Sequence, residues 1–410
     1  MNAKIEIAEK KVSGLLHLSG SKSISNRLLI LQALSGEIKA LKNLSTSDDT
    51  HVLQKALASK EGIVDVGIAG TAMRFLTAYF AIKGEEVILT GAARMKQRPI
   101  KELVDALRVL GAEISYKENE GFPPLKIKGK KIKGGHLKIK ADVSSQFISS
   151  ILMIAPYFES GIQLELIGDI LSRPYIEMTL NLMQQQGVNH SWKNNIITVD
   201  SGRYSNNVNF VESDWSSVSY LFELVALSMS GKIQMTHVMN DSVQGDQEVM
   251  HYFELLGIDS SIKDGMLTIS KKPNFKLPSF IEYDCTNTPD LAQTLASTAS
   301  GMGVSMKIVG LKSLPIKETN RLLALKTELE KYGTEVRILN NEALEIIPKE
   351  DISSKDLIFE TYGDHRMAMC LAPLALKSRS VTLSNPEVVN KSYRDFWNHL
   401  KCIGFNVYDI

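Results

Sequence analysis

Five times along the chain, a segment whose apolar residues recur at helical spacing runs into a glycine, and a short β-prone segment follows at once. Leu103 to Leu110 reaches Gly111, Leu180 to Gln186 reaches Gly187, and Tyr252 to Leu256 reaches Gly257. Leu325 to Tyr332 reaches Gly333, and Phe396 to Ile403 reaches Gly404. Glycine adopts the left-handed conformation that stops a helix, so each position is predicted as a helix end. The separations are 76, 70, 76 and 71 residues, and a weaker copy, Val52 to Glu61 before Gly62, makes a sixth. Lys193-Asn194-Asn195, Lys263-Asp264-Gly265 and Leu339-Asn340-Asn341-Glu342 each precede a β-prone run and predict hairpins. Units of about 70 residues exceed the usual solenoid period, so the pattern predicts an α/β protein of two domains with three units each. Ordinary alternation of helix, glycine and strand is the competing reading.

With 410 residues the chain can bury two substantial cores. Its 47 basic and 46 acidic residues leave a net charge of +1, which argues against nucleic acid or an anionic membrane as the main partner. Any cationic site is then local. Cys285, Cys370 and Cys402 have no metal-binding spacing and are expected as buried thiols in a reducing cytosol. The first residues lack the apolar core of a signal peptide, and the most apolar stretch, Phe147 to Phe158, is too short to span a bilayer. The expectation is a soluble cytoplasmic protein with no metal and no cofactor.

The loops that enter helices carry the chemistry. Pro315-Ile316-Lys317-Glu318-Thr319-Asn320-Arg321 precedes an apolar helical run, which would place Lys317 and Arg321 on one helix face with Glu318 beside them. Two cations, a carboxylate and free backbone N–H groups could cradle an anion next to a proton carrier. A solvated charge pattern fits the same residues. Gly20 to Arg27 brings Lys22, Ser23 and Arg27 to a helix start, with Ser21, Ser23 or Ser25 as its cap; the spacing is not that of a P-loop. Gly70, in Gly67 to Arg74, would let backbone approach a ligand closely. Arg94, Lys96 and Arg98 crowd a loop before a helix whose first turn holds Pro99, and Ser144, Ser145 and Gln146 open a very apolar helix. Ser172 to Tyr175 and Thr288-Pro289-Asp290 open further helices. His365 stands between Asp364 and Arg366, and Lys391 follows in a separate loop. Singly, each fits ordinary capping or a solvated loop. Together, cationic and hydroxyl-rich helix starts in a neutral chain fit a cleft for a small substrate with several phosphates or carboxylates.

These ordered motifs closely resemble those of the 5-enolpyruvylshikimate-3-phosphate synthases, over essentially the whole chain. The resemblance implies two similar domains of three βαβαββ units, helices inside and sheets outside, an inside-out α/β barrel. One domain would be 1–19 plus 212–410 and the other 20–211, with the active site in the cleft between them. It implies transfer of the enolpyruvyl group of phosphoenolpyruvate to the 5-hydroxyl of shikimate 3-phosphate with release of phosphate, in aromatic amino-acid biosynthesis.

The resemblance also carries roles. Ser144, Ser145, Ser172 and Lys317 would hold the 3-phosphate, and Ser23, Arg27, Gln146, Tyr175, Asp290 and Ser313 the rest of the shikimate. Lys22, Gly70, Arg98, Gln146, Arg321, Arg366 and Lys391 would hold phosphoenolpyruvate, a sensible set because arginines suit planar oxyanions and lysines act as point charges. Asp290, helped by Lys22, would take the hydroxyl proton; Glu318 would handle the carbon proton, with His365 or Lys391 assisting. The expected partners are these two small molecules, with no nucleic acid or membrane, and the protein is expected as a monomer. Ile68, Phe75 and Ser313 depart from the family pattern, which commonly has asparagine, proline and asparagine there. The related UDP-N-acetylglucosamine enolpyruvyl transferases carry a cysteine in the loop before Arg98; Gly91 to Gln97 contains none.

Overall fold

The computed structural model describes residues 1–37, 39–205, 207–349 and 354–410. They form two compact units, one of residues 1–19 and 212–410, the other of residues 20–211. The first unit contains three four-stranded sheets of one design. In each, two parallel strands are followed by two antiparallel ones. Lys11–Leu16 pairs parallel with Ser230–Met235, which continues antiparallel to Met266–Lys271 and Ile258–Lys263. Phe280–Asp284, Ser305–Val309, Ala343–Pro348 and Thr334–Leu339 repeat that order. The third sheet runs Asp356–Phe359, Ser380–Ser384, Asn2–Glu6 and Asn406–Asp409, so the N-terminal strand fills a place between strands from the other end of the chain.

Each parallel pair requires a crossover, and a helix supplies it. These three helices, Trp215–Leu227, Ala292–Met302 and His365–Leu371, pack on one another and are almost wholly buried. Their buried hydroxyls bond between the helices, Ser219 with Thr294 at 3.0 Å and Ser297 to the Cys370 carbonyl at 2.5 Å. The sheets lie outside them: Ser305–Val309 alternates buried and half-exposed residues, as a sheet with one face in water must.

The unit of residues 20–211 follows the same plan with one repeat reduced. Ile63–Asp65, Glu86–Thr90, Leu125–Lys128 and Glu113–Tyr116 form one sheet. Gly135–Lys140, Ile162–Ile167, Ile196–Val199 and His190–Lys193 form the second. The third repeat keeps its helices, Lys22–Ser35 and Asp48–Ala58, but among the described residues its strands contribute only a parallel bridge between Lys42 and Phe210. Lys22–Ser35, Gly70–Ile82 and Ser145–Ile154 meet in the core of this unit.

The five helix-stopping glycines all have positive φ, from 79° at Gly257 to 107° at Gly404. Gly62 does not belong with them. Its helix stops earlier, at Ala58, where extended Ser59 (φ −70°, ψ 139°) donates its N–H to Ala56 and no left-handed residue is needed. The hairpins turn where read, with Asn194, Asp264, Gly265, Asn340 and Asn341 all at positive φ. Pro99 lies just before the helix Lys101–Val109 rather than in its first turn, because Ile100 occupies the N-cap. Cys285 and Cys370 are buried, but Cys402, on the outer face of Phe396–Cys402, is exposed. Among the described residues, no helix is long and apolar enough to cross a membrane.

Candidate active site

In the first unit, the predicted charged residues converge on Arg321. Leu314–Ile316 forms a 3-10 turn that Ser313 opens, and the helix Arg321–Lys331 begins only after Asn320, whose side chain accepts from the Leu323 N–H at 3.2 Å. Lys317 lies ahead of the helix with extended backbone, so it and Arg321 share no helix face. The proline-led turn delays the helix by one full turn. Glu318 still reaches Arg321, with Oε2 accepting from Nη2 at 3.0 Å.

Arg321 is 2% exposed and spans three carboxylates. Its Nε donates to Asp364 Oδ2 at 2.7 Å and its Nη1 to Asp290 Oδ1 at 3.2 Å. Burial works against its charge, but Asp364, Glu318 and Asp290 outweigh that and raise its proton affinity further. The other oxygen of Asp290 accepts from Arg366 Nη2 at 2.6 Å, so one carboxylate bridges two guanidiniums. Lys391 Nζ lies 3.6 Å from Glu318 Oε1. Asp364 caps the helix His365–Leu371 by accepting from the Arg366 N–H at 2.9 Å, and buried His365 has Nδ1 3.5 Å from the same carboxylate. The predicted cationic surface is therefore a lattice of alternating charge here. Buried cations need counter-ions before a ligand arrives, and these carboxylates supply them.

In the second unit, Ser21 is the cap of Lys22–Ser35, accepting from the Ile24 N–H at 3.4 Å; Ser23 sits half-exposed in the first turn. Lys22 Nζ lies 3.4 Å from Asp49 Oδ2. Arg27 is buried and donates to Thr179 Oγ1 at 2.7 Å, Ser149 Oγ at 3.3 Å, and the carbonyls of Ser23 and Tyr175 at 3.0 and 3.1 Å. Among the described residues no carboxylate pairs with it, and burial pulls it down to about 10. Its guanidinium lies 5.4 Å from the ring centre of Phe75, one of the departures from the family pattern. Gly70 begins its helix with the Arg98 guanidinium against it: a Cβ there would meet Nη1 at 2.4 Å. Ser144 caps Ser145–Ile154 through the Gln146 N–H, and the Gln146 amide donates to Thr71 Oγ1 at 3.2 Å. Ser172 precedes Arg173-Pro174 in the left-handed conformation (φ 54°, ψ 41°), and Tyr175 lies in the first turn of Arg173–Gln185. Ile68 is 48% exposed.

Three residues escaped the sequence reading. Ser216 and Tyr220, one turn apart on Trp215–Leu227, accept from Arg366 at 3.4 Å each. Asp246, in the 3-10 turn Gly245–Glu248, accepts a hydrogen bond from the Ser216 hydroxyl. Burial, with the Asp290 charge behind it, pushes the Asp246 carboxyl up to about 7, while Arg366 and Ser216 pull the other way. The available signal was the polar Ser213-Asp214 entry to an otherwise apolar helix. Nothing local linked it to Asp246.

Known proteins match this chain along most of its length. The family model described as EPSP synthase (3-phosphoshikimate 1-carboxyvinyltransferase) matches residues 52–400. A 3-phosphoshikimate 1-carboxyvinyltransferase of Bacteroides fragilis (strain YCH46) is 42% identical over 401 residues, covering 98% of this chain and 97% of that protein. Its counterpart from Haemophilus influenzae (strain KW20 / Rd) is 38% identical over 424 residues, covering 96% of each. A solved EPSP synthase from Acinetobacter baumannii superposes with a TM-score of 0.78 over the whole of both chains at 19% identity, a likeness of fold. The chain belongs to the EPSP synthase family.

Proposed function

We propose that this protein transfers the enolpyruvyl group of phosphoenolpyruvate to the 5-hydroxyl of shikimate 3-phosphate, releasing phosphate. The observation that carries the reading is a pair of proton carriers, Asp290 and Glu318, held on one buried guanidinium. Both serve Arg321 as counter-ions, and both are of a type that can also exchange protons with a substrate. Asp290, with Lys22 assisting, accepts the 5-hydroxyl proton as the oxygen forms a bond to C2 of phosphoenolpyruvate. Glu318, once it has taken up a proton from solvent, delivers it to C3, giving a tetrahedral adduct. Removal of a proton from the same carbon then expels phosphate by breaking its bond to C2. His365 and Lys391 assist at the carbon step.

Each substrate has its own set of contacts. Ser144, Ser145, Ser172 and Lys317 hold the 3-phosphate. Arg27, Ser23, Gln146, Tyr175, Asp290 and Ser313 hold the ring, where Arg27 brings a buried charge supported by hydroxyls and carbonyls. Lys22, Gly70, Arg98, Gln146, Arg321, Arg366 and Lys391 hold phosphoenolpyruvate. The near-zero net charge supports small-molecule partners over nucleic acid, and we place the protein in the cytoplasm as a monomer.

The deciding experiment measures inorganic phosphate release from phosphoenolpyruvate with shikimate 3-phosphate or with UDP-N-acetylglucosamine. Release is expected only with the first; release with the UDP-sugar alone, or with neither, overturns the proposal. Within it, Glu318→Gln should keep both substrates bound yet lose exchange of solvent hydrogen into C3 of phosphoenolpyruvate. Exchange at the wild-type rate would move the carbon step to Lys391 or Lys22.

A further inference from the structure

The loop that carries Asp246 is clipped to the start of Trp215–Leu227. Gln244 accepts from the Trp215 N–H at 3.1 Å and donates to the Ser213 carbonyl at 2.9 Å. This clip sets Asp246, itself 3% exposed, opposite the Ser216 hydroxyl. A serine hydroxyl has one hydrogen and two acceptor sites. With its hydrogen committed to Asp246, Ser216 can only accept on its remaining side. There it faces Arg366 Nη2 at 3.4 Å, and that same nitrogen donates to Asp290 Oδ2 at 2.6 Å. Arg366 Nη1 is held separately by the Tyr220 hydroxyl at 3.4 Å and the Asp290 carbonyl at 3.3 Å.

We infer that Asp246 is a positioning residue, which fixes the Arg366 guanidinium against Asp290 by orienting the Ser216 hydroxyl. Without an acceptor at position 246 the hydroxyl rotates freely, and for part of the time it points its hydrogen toward Arg366. The guanidinium then loses a fixed point on the side away from Tyr220. Asp246 touches no substrate in this scheme. The kinetic consequence rests on the proposal that Arg366 holds phosphoenolpyruvate; the orientation of Arg366 does not.

Two measurements keep these apart. Asp246→Leu and Ser216→Ala should each raise KM for phosphoenolpyruvate about tenfold, the scale of one hydrogen bond to a charged group, and shift KM for shikimate 3-phosphate less than about twofold. Asp246→Asn retains a carbonyl acceptor and should stay within about threefold of wild type. The double variant Ser216→Ala/Asp246→Leu should be no more than about twofold worse than the poorer single one, because both break one chain. In parallel, the ¹⁵N–¹H signals of the Arg366 guanidinium should show restricted rotation in wild type and Asp246→Asn, and faster rotation in Ser216→Ala. The inference is overturned by Asp246→Asn damaged as badly as Asp246→Leu, by equal rises in both KM values, by multiplicative effects in the double variant, or by unchanged guanidinium rotation. If Asp246→Leu does not fold, Ser216→Ala and the rotation measurement decide. A wild-type protein inactive with both substrates would sink the proposed reaction, while the rotation measurement would still judge Asp246.

Discussion

Replacing Arg321 with leucine should lower the unfolding free energy by about 3–5 kcal/mol, the usual cost of removing one partner from a buried ion pair. It should also abolish phosphate release. Three carboxylates converge on this one side chain: Asp364 is fully buried, Glu318 is 17% exposed with Lys391 also near it, and Asp290 is 20% exposed and shared with Arg366. Removing the cation leaves three negative charges close together in a poorly solvated place, and no leucine contact offsets that. Arg321→Lys should do better but still fall well short of wild type. A single ammonium cannot span the directions that Nε, Nη1 and Nη2 cover. Urea unfolding beside a phosphate assay measures both effects. Stability within about 1 kcal/mol of wild type for the leucine variant would mean that the carboxylates find other partners.

Asp290→Asn should lower turnover by about 10²-fold or more, the range for loss of a general base, while shikimate 3-phosphate affinity changes little. The amide keeps one acceptor, so it can still bond to Arg321 or Arg366, and the frame is expected to survive. What it loses is the capacity to take a proton. Turnover near wild type would remove Asp290 from the proton path and leave it a purely structural bridge between the two arginines. Comparing single-turnover rates with substrate affinity separates the outcomes.

Much of the fold was legible because its signals are local. A glycine that must be left-handed, or an asparagine in a two-residue turn, marks the backbone without reference to anything distant. That is why Gly111, Gly187, Gly257, Gly333 and Gly404 read correctly. Gly62 misled because its helix ends four residues earlier in an extended serine, a stop that needs no special residue. The reduced sheet of the third repeat in residues 20–211 was equally silent, since the helices that mark a repeat are present. In the candidate site, residue types at helix starts were readable but their pairings were not. Arg321 lies 43 residues from Asp364 and 31 from Asp290, and the packing of Arg321–Lys331 against the starts of Ala292–Met302 and His365–Leu371 brings them together. The local error at Lys317 has a local cause: spacing alone placed it on the helix, and the 3-10 turn at Pro315 shortened the helix from its front.

The strand Asn2–Glu6 has a consequence for how the protein is made. It hydrogen-bonds to Ser380–Ser384 on one side and Asn406–Asp409 on the other, and the Asn2 N–H donates to the Ile410 carbonyl at 2.9 Å. This strand is therefore made long before the strands on either side of it. Residues 20–211 form a continuous stretch and can complete their own core while synthesis is still under way. The other unit must keep Asn2–Glu6 unpaired until Ser380–Ser384 and Asn406–Asp409 have been made, so its closure waits on segments far along the chain.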